Sequence, residues 1–394
     1  MEYRFANRVD HLKPSVIREI LKFTGMPGIV PFAAGNPAPE AFPVEEVTRI
    51  SGKIFAETPI DALQYSISEG DPALRETMRG FMRGRYGAFR EFDELIITAG
   101  AQQVMELTVK ALCDEGDTLI CENPSFIGSL NAFRSYKLNL VGIEMESDGI
   151  SLEKLEQALK AHKNTKLIYL IPNFQNPSGL TMSGEKRKAV YELAKRYNTL
   201  ILEDNPYGET RFAGEDIPPI KSLDEDGIVV YAGSFSKVLS PGLRVGYAVA
   251  PTEIIAKMTV CKQVSDVHTN IWAQKICGAF MTECDYDAHI QKIKGIYRRK
   301  AELMMSLMDR YLMPKITYNP VQGGLFIWAR LPEGTDMLEF CRQAVQKKVA
   351  VVPGSAFLSD ESAPCRNIRL NFSTPTDEQM TEGMEILGKM AAEI

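Results

Sequence analysis

From about residue 94 to residue 251 the chain alternates short, continuous apolar runs with stretches in which apolar residues recur every three or four positions. The runs are "ELIITAG" (94–100), "DTLICENP" (117–124), "TKLIYLIP" (165–172), "TLILEDNPY" (199–207), "GIVVYAGS" (227–234) and "RVGYAVAP" (244–251). Each is seven to nine residues long and ends in turn-forming residues, which predicts strands buried on both faces. Between them, "AQQVMELTVKALC" (101–113) carries Val104, Leu107, Thr108, Ala111 and Leu112 at helical spacing. "SGEKRKAVYELAKRYN" (183–198) does the same with Val190, Leu193, Ala194 and Tyr197, and Ser183 is its candidate cap. Strands alternating with helices predict an α/β fold with a mostly parallel sheet covered on both faces.

Outside that region the pattern changes. The first ~30 residues hold one candidate helix, "PSVIREILKFT" (14–24), with Val16, Ile20 and Phe23 on one side. A Pro-, Gly- and Ala-rich stretch, "GIVPFAAGNPAPEAFP" (28–43), follows, and then "DPALRETMRGFMRGRYG" (71–87), in which Asp71 can cap a helix and Pro72 fits its first turn. From about 285 a long amphipathic helix (289–312) leads to the strand "QGGLFIWARLP" (322–332), a helix, "VAVVPGSAF" (349–357), "NIRLNFS" (367–373) and a last helix. This reads as a smaller α+β domain that takes in the N-terminal arm. The expected division is an arm over 1–45, a large domain over 46–285 and a small domain over 286–394. No internal repeat or low-complexity run interrupts it.

The length, 394 residues, agrees with two domains. Composition adds exclusions. At 45% hydrophobic and 24% charged, with a formal net charge of −6, the chain lacks the basic surplus of a nucleic-acid binder. Seven cysteines, none in a C-x-x-C pair, and four scattered histidines give no metal-ligand spacing. Reduced thiols, no apolar leader at the start and no run of ~18 apolar residues predict a cytoplasmic protein without a membrane span.

Ligands of open parallel sheets bind beyond the carboxyl ends of the strands, so the residues found there are the candidates for chemistry. Gly100-Ala101-Gln102 opens a helix and can receive an anion. Phe126 follows the second run, Asn176 the third, and Asp204 with Tyr207 the fourth. Ser234, Ser236, Lys237 and Arg244 follow the fifth, and Arg369 lies inside an apolar strand. Taken singly, each has a plain structural reading: a tight turn, a core aromatic, a loop amide, a helix cap, a solvated lysine, an internal ion pair. Together they describe one ligand with a flat ring, a phosphate, a protonated ring nitrogen facing Asp204 and a carbonyl facing a lysine, which is pyridoxal phosphate.

The motifs "YSISEGDPALR" (65–75), "TAGAQQ" (98–103), "NPSG" (176–179), "EDNPY" (203–207), "SFSKVLSPGLRVGY" (234–247) and "IRLNFS" (368–373) resemble, in order and spacing, those of the class I/II aminotransferases among the fold-type I pyridoxal-phosphate enzymes. Within them the chain is most similar to the 2-aminoadipate and kynurenine aminotransferase branch. The resemblance implies a seven-stranded, mostly parallel large-domain sheet and a homodimer.

It also implies roles. Lys237 would be the Schiff-base lysine, Asp204 would pair with the ring nitrogen, and Tyr207 and Asn176 would hold the ring hydroxyl oxygen. Phe126 would stack on the ring, where many relatives have tyrosine. Gly100, the backbone of Ala101 and Gln102, Ser234, Ser236 and Arg244 would hold the phosphate, with Tyr65 reaching it from the neighbouring subunit. Ala101 stands where close relatives often have serine. Arg369, helped by Gly35 and Asn176, would take the substrate α-carboxylate. The implied activity moves an amino group between an L-amino acid and a 2-oxo acid by a ping-pong route, with glutamate and 2-oxoglutarate as one pair and an aminoadipate, aromatic or aliphatic partner. "FAAGNPAPEAFP" departs from the Gly-Gly-Leu-Pro of the aminoadipate branch. Two alternatives stay open at this level: a β-lyase on the same scaffold, and a regulator that keeps the cofactor as a sensor, against which stands the expectation that no DNA-binding segment precedes residue 1.

Overall fold

A computed structural model describes residues 3–7 and 28–394; the expected helix around Val16, Ile20 and Phe23 lies outside them. The larger sheet has strands β1 (Asp93–Thr98), β2 (Thr118–Asn123), β3 (Asn139–Glu146), β4 (Gly149–Ile150), β5 (Thr165–Leu170), β6 (Leu200–Asp204), β7 (Val229–Ser234) and β8 (Gly246–Pro251), in the order β1-β8-β7-β6-β5-β2-β3-β4. The five strands from β7 to β3 run parallel, and β8 runs against both β7 and β1. The seven expected strands are therefore extended by an eighth, the two-residue β4, which turns back on β3 at the sheet edge.

Why these runs become central strands is visible in how their side chains divide. Ile120, Ile168, Leu170 and Ile201 join one apolar cluster with Val190 and Leu193 of the helix Gly184–Arg196. Leu119, Cys121, Leu167, Tyr169 and Leu202 point to the opposite cluster, with Val104 and Leu107 of the helix Ala101–Leu112. Alternate residues feed alternate faces, and helices cover both. The expected caps are present: Asp71 Oδ1 accepts from the Leu74 amide at 2.9 Å and Ser183 Oγ from the Lys186 amide at 3.3 Å.

The second sheet is antiparallel, β11 (Val352–Pro353), β12 (Asn367–Asn371), β10 (Phe326–Arg330) and β9 (Thr317–Tyr318) side by side. It adjoins the packed helices Tyr286–Tyr311 and Asp377–Ala392. Only two residues of "VAVVPGSAF" pair as strand, because Pro353 has no amide to donate and Gly354–Phe357 turns as a 3-10 helix. The N-terminal arm joins this half: Val30 bridges Val349, and the Asn371 amide donates to Phe32 O at 2.8 Å. That docking carries residues 33–36 across the carboxyl ends of the large sheet.

Candidate active site

At those strand ends lies a cavity of about 730 Å³, lined among others by Gly35, Phe126, Asn176, Asp204, Lys237 and Arg369. Its residues come from the arm, from loops after β2, β5, β6 and β7, and from β12, which brings together residues more than 330 positions apart.

One end suits an anion. Ala101 and Gln102 open the helix Ala101–Leu112, no side chain caps it, and Ser234, Ser236 and Arg244 face the same space. Gly100 sits just behind, at φ +82, and a Cβ on it would lie 2.5 Å from Arg244 Nη2. Glycine is therefore required there for the guanidinium to approach the helix end. Arg244 itself holds a left-handed backbone, φ +54, and among the described residues it has no carboxylate partner; its Nη1 and Nη2 donate at 3.2 Å to Pro241 O and Ala99 O. A helix N-terminus with a free guanidinium, two hydroxyls and no side chain in the way is a phosphate cradle.

In the middle, Asp204 is buried at the end of β6. Its Oδ2 lies 2.8 Å from the Tyr169 hydroxyl, and its Oδ1 has no partner. Burial lifts its carboxyl to about 7, although the Tyr169 hydrogen bond pulls the other way. The cap reading fails, since among the described residues no backbone amide takes this carboxylate, and an orphaned buried carboxylate oxygen asks for a donor, a place a protonated ring nitrogen would fit. Phe126, half-buried, precedes the helix Ile127–Ser135 and faces the cavity. Tyr207 is buried, and desolvation raises its phenol above the ordinary range.

Lys237 Nζ donates to Gly35 O at 2.8 Å. Burial, then the nearby charges of Arg369 and Arg244, lower its ammonium to about 8. A lysine that loses its proton near neutrality is a nucleophile and a base, not the solvated charge of the plain reading.

At the far end is Arg369, 5% exposed. Its Nη1 donates to Asn176 Oδ1 at 3.0 Å, its Nη2 to Ala33 O at 2.9 Å and Ala34 O at 3.3 Å. Its Nε has no partner, and the guanidinium lies 4.2 Å from the Phe326 ring centre and 5.0 Å from that of Phe357. Burial lowers it to about 10. Among the described residues no carboxylate pairs with it, so the internal ion pair is not found there and a buried cation is left facing a cavity.

Residues 27–387 match the family model for Aminotransferase class I and II. The chain belongs to the class I and II aminotransferases. It is 36% identical to Aromatic-amino-acid aminotransferase 1 of Thermococcus litoralis over all of this chain and 95% of that one. It also resembles the Pyrococcus horikoshii kynurenine aminotransferase solved in complex with PMP, with a TM-score of 0.95, 34% identity, and coverage of 99% and 97% of the two chains. The Thermus thermophilus α-aminoadipate aminotransferase LysN, solved with N-(5'-phosphopyridoxyl)-L-leucine, gives 0.91, 34%, 99% and 97%. These relatives place the aminotransferase in the aminoadipate and kynurenine branch of the fold-type I enzymes, with pyridoxal phosphate as its cofactor. The two features a pyridoxal phosphate needs, a ready anion cradle and an unpartnered buried carboxylate oxygen, are both present in this chain.

Two expected residues do not line this cavity. Gly100 lies behind it, and Tyr65 is 82% exposed on the outer surface. The structure also brings in residues that the strand-end reading passed over: Tyr169 and Ser129 beneath Asp204, Phe326 against Arg369, and the carbonyls of Ala33, Ala34 and Gly35. Asn173, by contrast, is structural; its Oδ1 accepts from Arg187 at 2.7 Å and its Nδ2 donates to Asn205 at 2.8 Å. No group of residues able to hold a metal ion occurs among the described residues.

Proposed function

We propose that this aminotransferase moves the α-amino group of an L-amino acid to a 2-oxo acid by a ping-pong route, with glutamate and 2-oxoglutarate as one pair and an aromatic, aminoadipate or aliphatic partner. The observation that carries the reading is the buried Arg369, without a carboxylate partner among the described residues, lining the same cavity as Lys237. Bound pyridoxal phosphate supplies an aldehyde to capture the amino group and a ring to accept electron density from the substrate α-carbon.

The chain's own residues do the rest. Arg369 takes the α-carboxylate in a two-pronged grip, with Asn176 and the Gly35 backbone beside it, which fixes the plane of the substrate. Lys237 Nζ, neutral above about pH 8 in the free chain, takes the α-proton and returns it two atoms away, across the transferred nitrogen. Asp204 Oδ1 keeps a proton on the ring nitrogen. Tyr207 and Asn176 hold the ring hydroxyl oxygen, Phe126 covers the ring, and Ala101, Gln102, Ser234, Ser236 and Arg244 hold the phosphate, with Gly100 behind them giving the Arg244 guanidinium room.

The same reading includes a homodimer in which Tyr65 completes the partner's phosphate site. Its support is the exposure of Ile60 (68%) and Leu63 (72%) beside Tyr65 on one stretch, an apolar surface of the kind that subunits cover. The two sheets favour a large domain over 46–285 and a small one over 286–394, and the Val30–Val349 bridge supports reading the arm, 1–45, with the latter. Seven cysteines, none in a disulfide, favour the cytoplasm.

The test is a half-reaction. Single L-amino acids are added to the holoenzyme with no oxo acid present, and the visible absorbance of the cofactor is followed. Loss of that band with release of a 2-oxo acid is the expected result, and the ranking of rates gives the substrate class. Release of pyruvate with ammonia from a β-substituted substrate, with no amino group retained on the enzyme, would overturn transfer in favour of elimination.

A further inference from the structure

Beneath Asp204 lies a hydroxyl pair to which the reaction described above gives no part. Tyr169 is fully buried near the carboxyl end of β5. Its hydroxyl lies 2.8 Å from Asp204 Oδ2 and 2.9 Å from Ser129 Oγ. Sheet register brings it there: Tyr169 pairs with Leu202 on β6, and Asp204, two residues on, faces the same side. Ser129, in the first turn of the helix Ile127–Ser135 and itself buried, closes the row.

The proton count sets the direction. A phenol has one proton, and an ionised carboxylate can only accept. The Tyr169 proton therefore goes to Asp204 Oδ2, and the Ser129 hydroxyl proton goes to the Tyr169 oxygen. Burial drives the phenol's own ionisation well out of reach, so Tyr169 stays a donor throughout the working range. With Oδ2 occupied, the only open acceptor on Asp204 is Oδ1, the orphaned oxygen.

We propose that Tyr169, with Ser129 behind it, is a positioning residue for the cofactor's ring nitrogen: it locks the Asp204 carboxylate in one rotamer, favours its ionised form and leaves the unpartnered Oδ1 to meet the ring. The inference rests on the reading that Asp204 faces that nitrogen. A strand tyrosine with ring packing alone would need no such partners. Its ring does pack, edge-on to Phe133 with centroids 5.1 Å apart, and Tyr169→Phe keeps that contact while deleting the proton.

The experiment is a cycle between this substitution and the ring nitrogen. Binding to the cofactor-free protein is measured for pyridoxal phosphate and for its 1-deaza analogue, in which carbon replaces the ring nitrogen. The proteins are wild type, Tyr169→Phe, Ser129→Ala and Asp204→Asn. A hydrogen bond to a charged group corresponds to roughly a 10- to 100-fold change in an equilibrium constant. Tyr169→Phe is expected to weaken pyridoxal phosphate by about that factor and to leave the deaza analogue unchanged, with Ser129→Ala giving a smaller loss of the same selectivity.

Equal losses for both ligands in Tyr169→Phe would make Tyr169 merely structural and overturn the proposal. If Tyr169→Phe does not fold, Ser129→Ala decides: selective loss supports the relay, and no selectivity refutes it. Asp204→Asn separates the two levels of the argument. If it too treats both ligands alike, the placement of Asp204 at the ring nitrogen has failed; if it discriminates while Tyr169→Phe does not, only the Tyr169 proposal has.

Discussion

Replacing Arg369 with leucine should produce an unusual pair of effects, little change in stability and a large loss of substrate binding. Among the described residues the guanidinium has three neutral acceptors, an unpartnered Nε and no carboxylate. Its fall from the ordinary 12.5 to about 10 corresponds to about 3 kcal/mol of unfavourable burial of the charge. Leucine removes that cost but strands the Ala33 and Ala34 carbonyls and Asn176 Oδ1, at about 1 kcal/mol or more each. The two contributions nearly cancel, whereas breaking a buried ion pair costs about 3–5 kcal/mol.

Binding has no such compensation. A carboxylate that loses its buried partner forfeits about 2–5 kcal/mol, or roughly 30- to 5,000-fold in kcat/KM. Thermal melts of the cofactor-free variant together with half-reaction kinetics on several amino acids test both sides. Arg369→Lys keeps the charge without the fork and should fall between the two. An unchanged KM for every amino and oxo acid would refute the assignment, and so would a melting temperature that collapses while KM holds.

Two further outcomes follow from the same site. Lys237→Ala should retain bound cofactor, because the phosphate cradle and Asp204 are untouched, yet fail to turn over; normal steady-state rates in that variant would remove Lys237 from its role. Glu122, buried at the end of β2, accepts from the Ile171 amide at 3.0 Å and from Gln175 Nε2 at 3.2 Å, and burial pushes its carboxyl up to about 8. The folded form thus holds a proton that the unfolded chain releases near 4.5, so its contribution to stability is complete below about 4.5 and is lost as pH rises to 8. Glu122→Gln should flatten the fall in melting temperature between pH 5 and 8, and parallel curves for the two proteins would show that Glu122 is not held neutral.

Charged residues in apolar settings were the legible part of the site. Asp204 after "LILE", Lys237 among serines and Arg369 inside "NIRLNFS" are out of place unless something answers them, and the structure puts all three around one cavity. Tyr169 gave no such signal. A tyrosine in an apolar strand reads as core, and only the register of β5 on β6 shows that its hydroxyl meets Asp204. Backbone groups are silent for a deeper reason: the carbonyls of Ala33, Ala34 and Gly35 take two cations, but a carbonyl carries no residue type. In the fold, β3 escaped because it lies near the sheet edge. Only Ile143 of its eight residues is fully buried, so no continuous apolar run marks it. The central strands, enclosed on both faces, announced themselves.

The arm that crosses the strand ends has one more consequence. On the proposed reading, the residues that hold the cofactor, Tyr65 apart, fall within 100–244, an uninterrupted middle portion of the chain. What recognises the amino acid's carboxylate comes from the two flanks, Ala33 to Gly35 on one side and Phe326 to Arg369 on the other, with Asn176 the one residue facing both ways. Heritable change can therefore act on the two tasks separately. Substitutions in the flanks can widen or narrow the range of molecules processed while the reactive centre stays as it is.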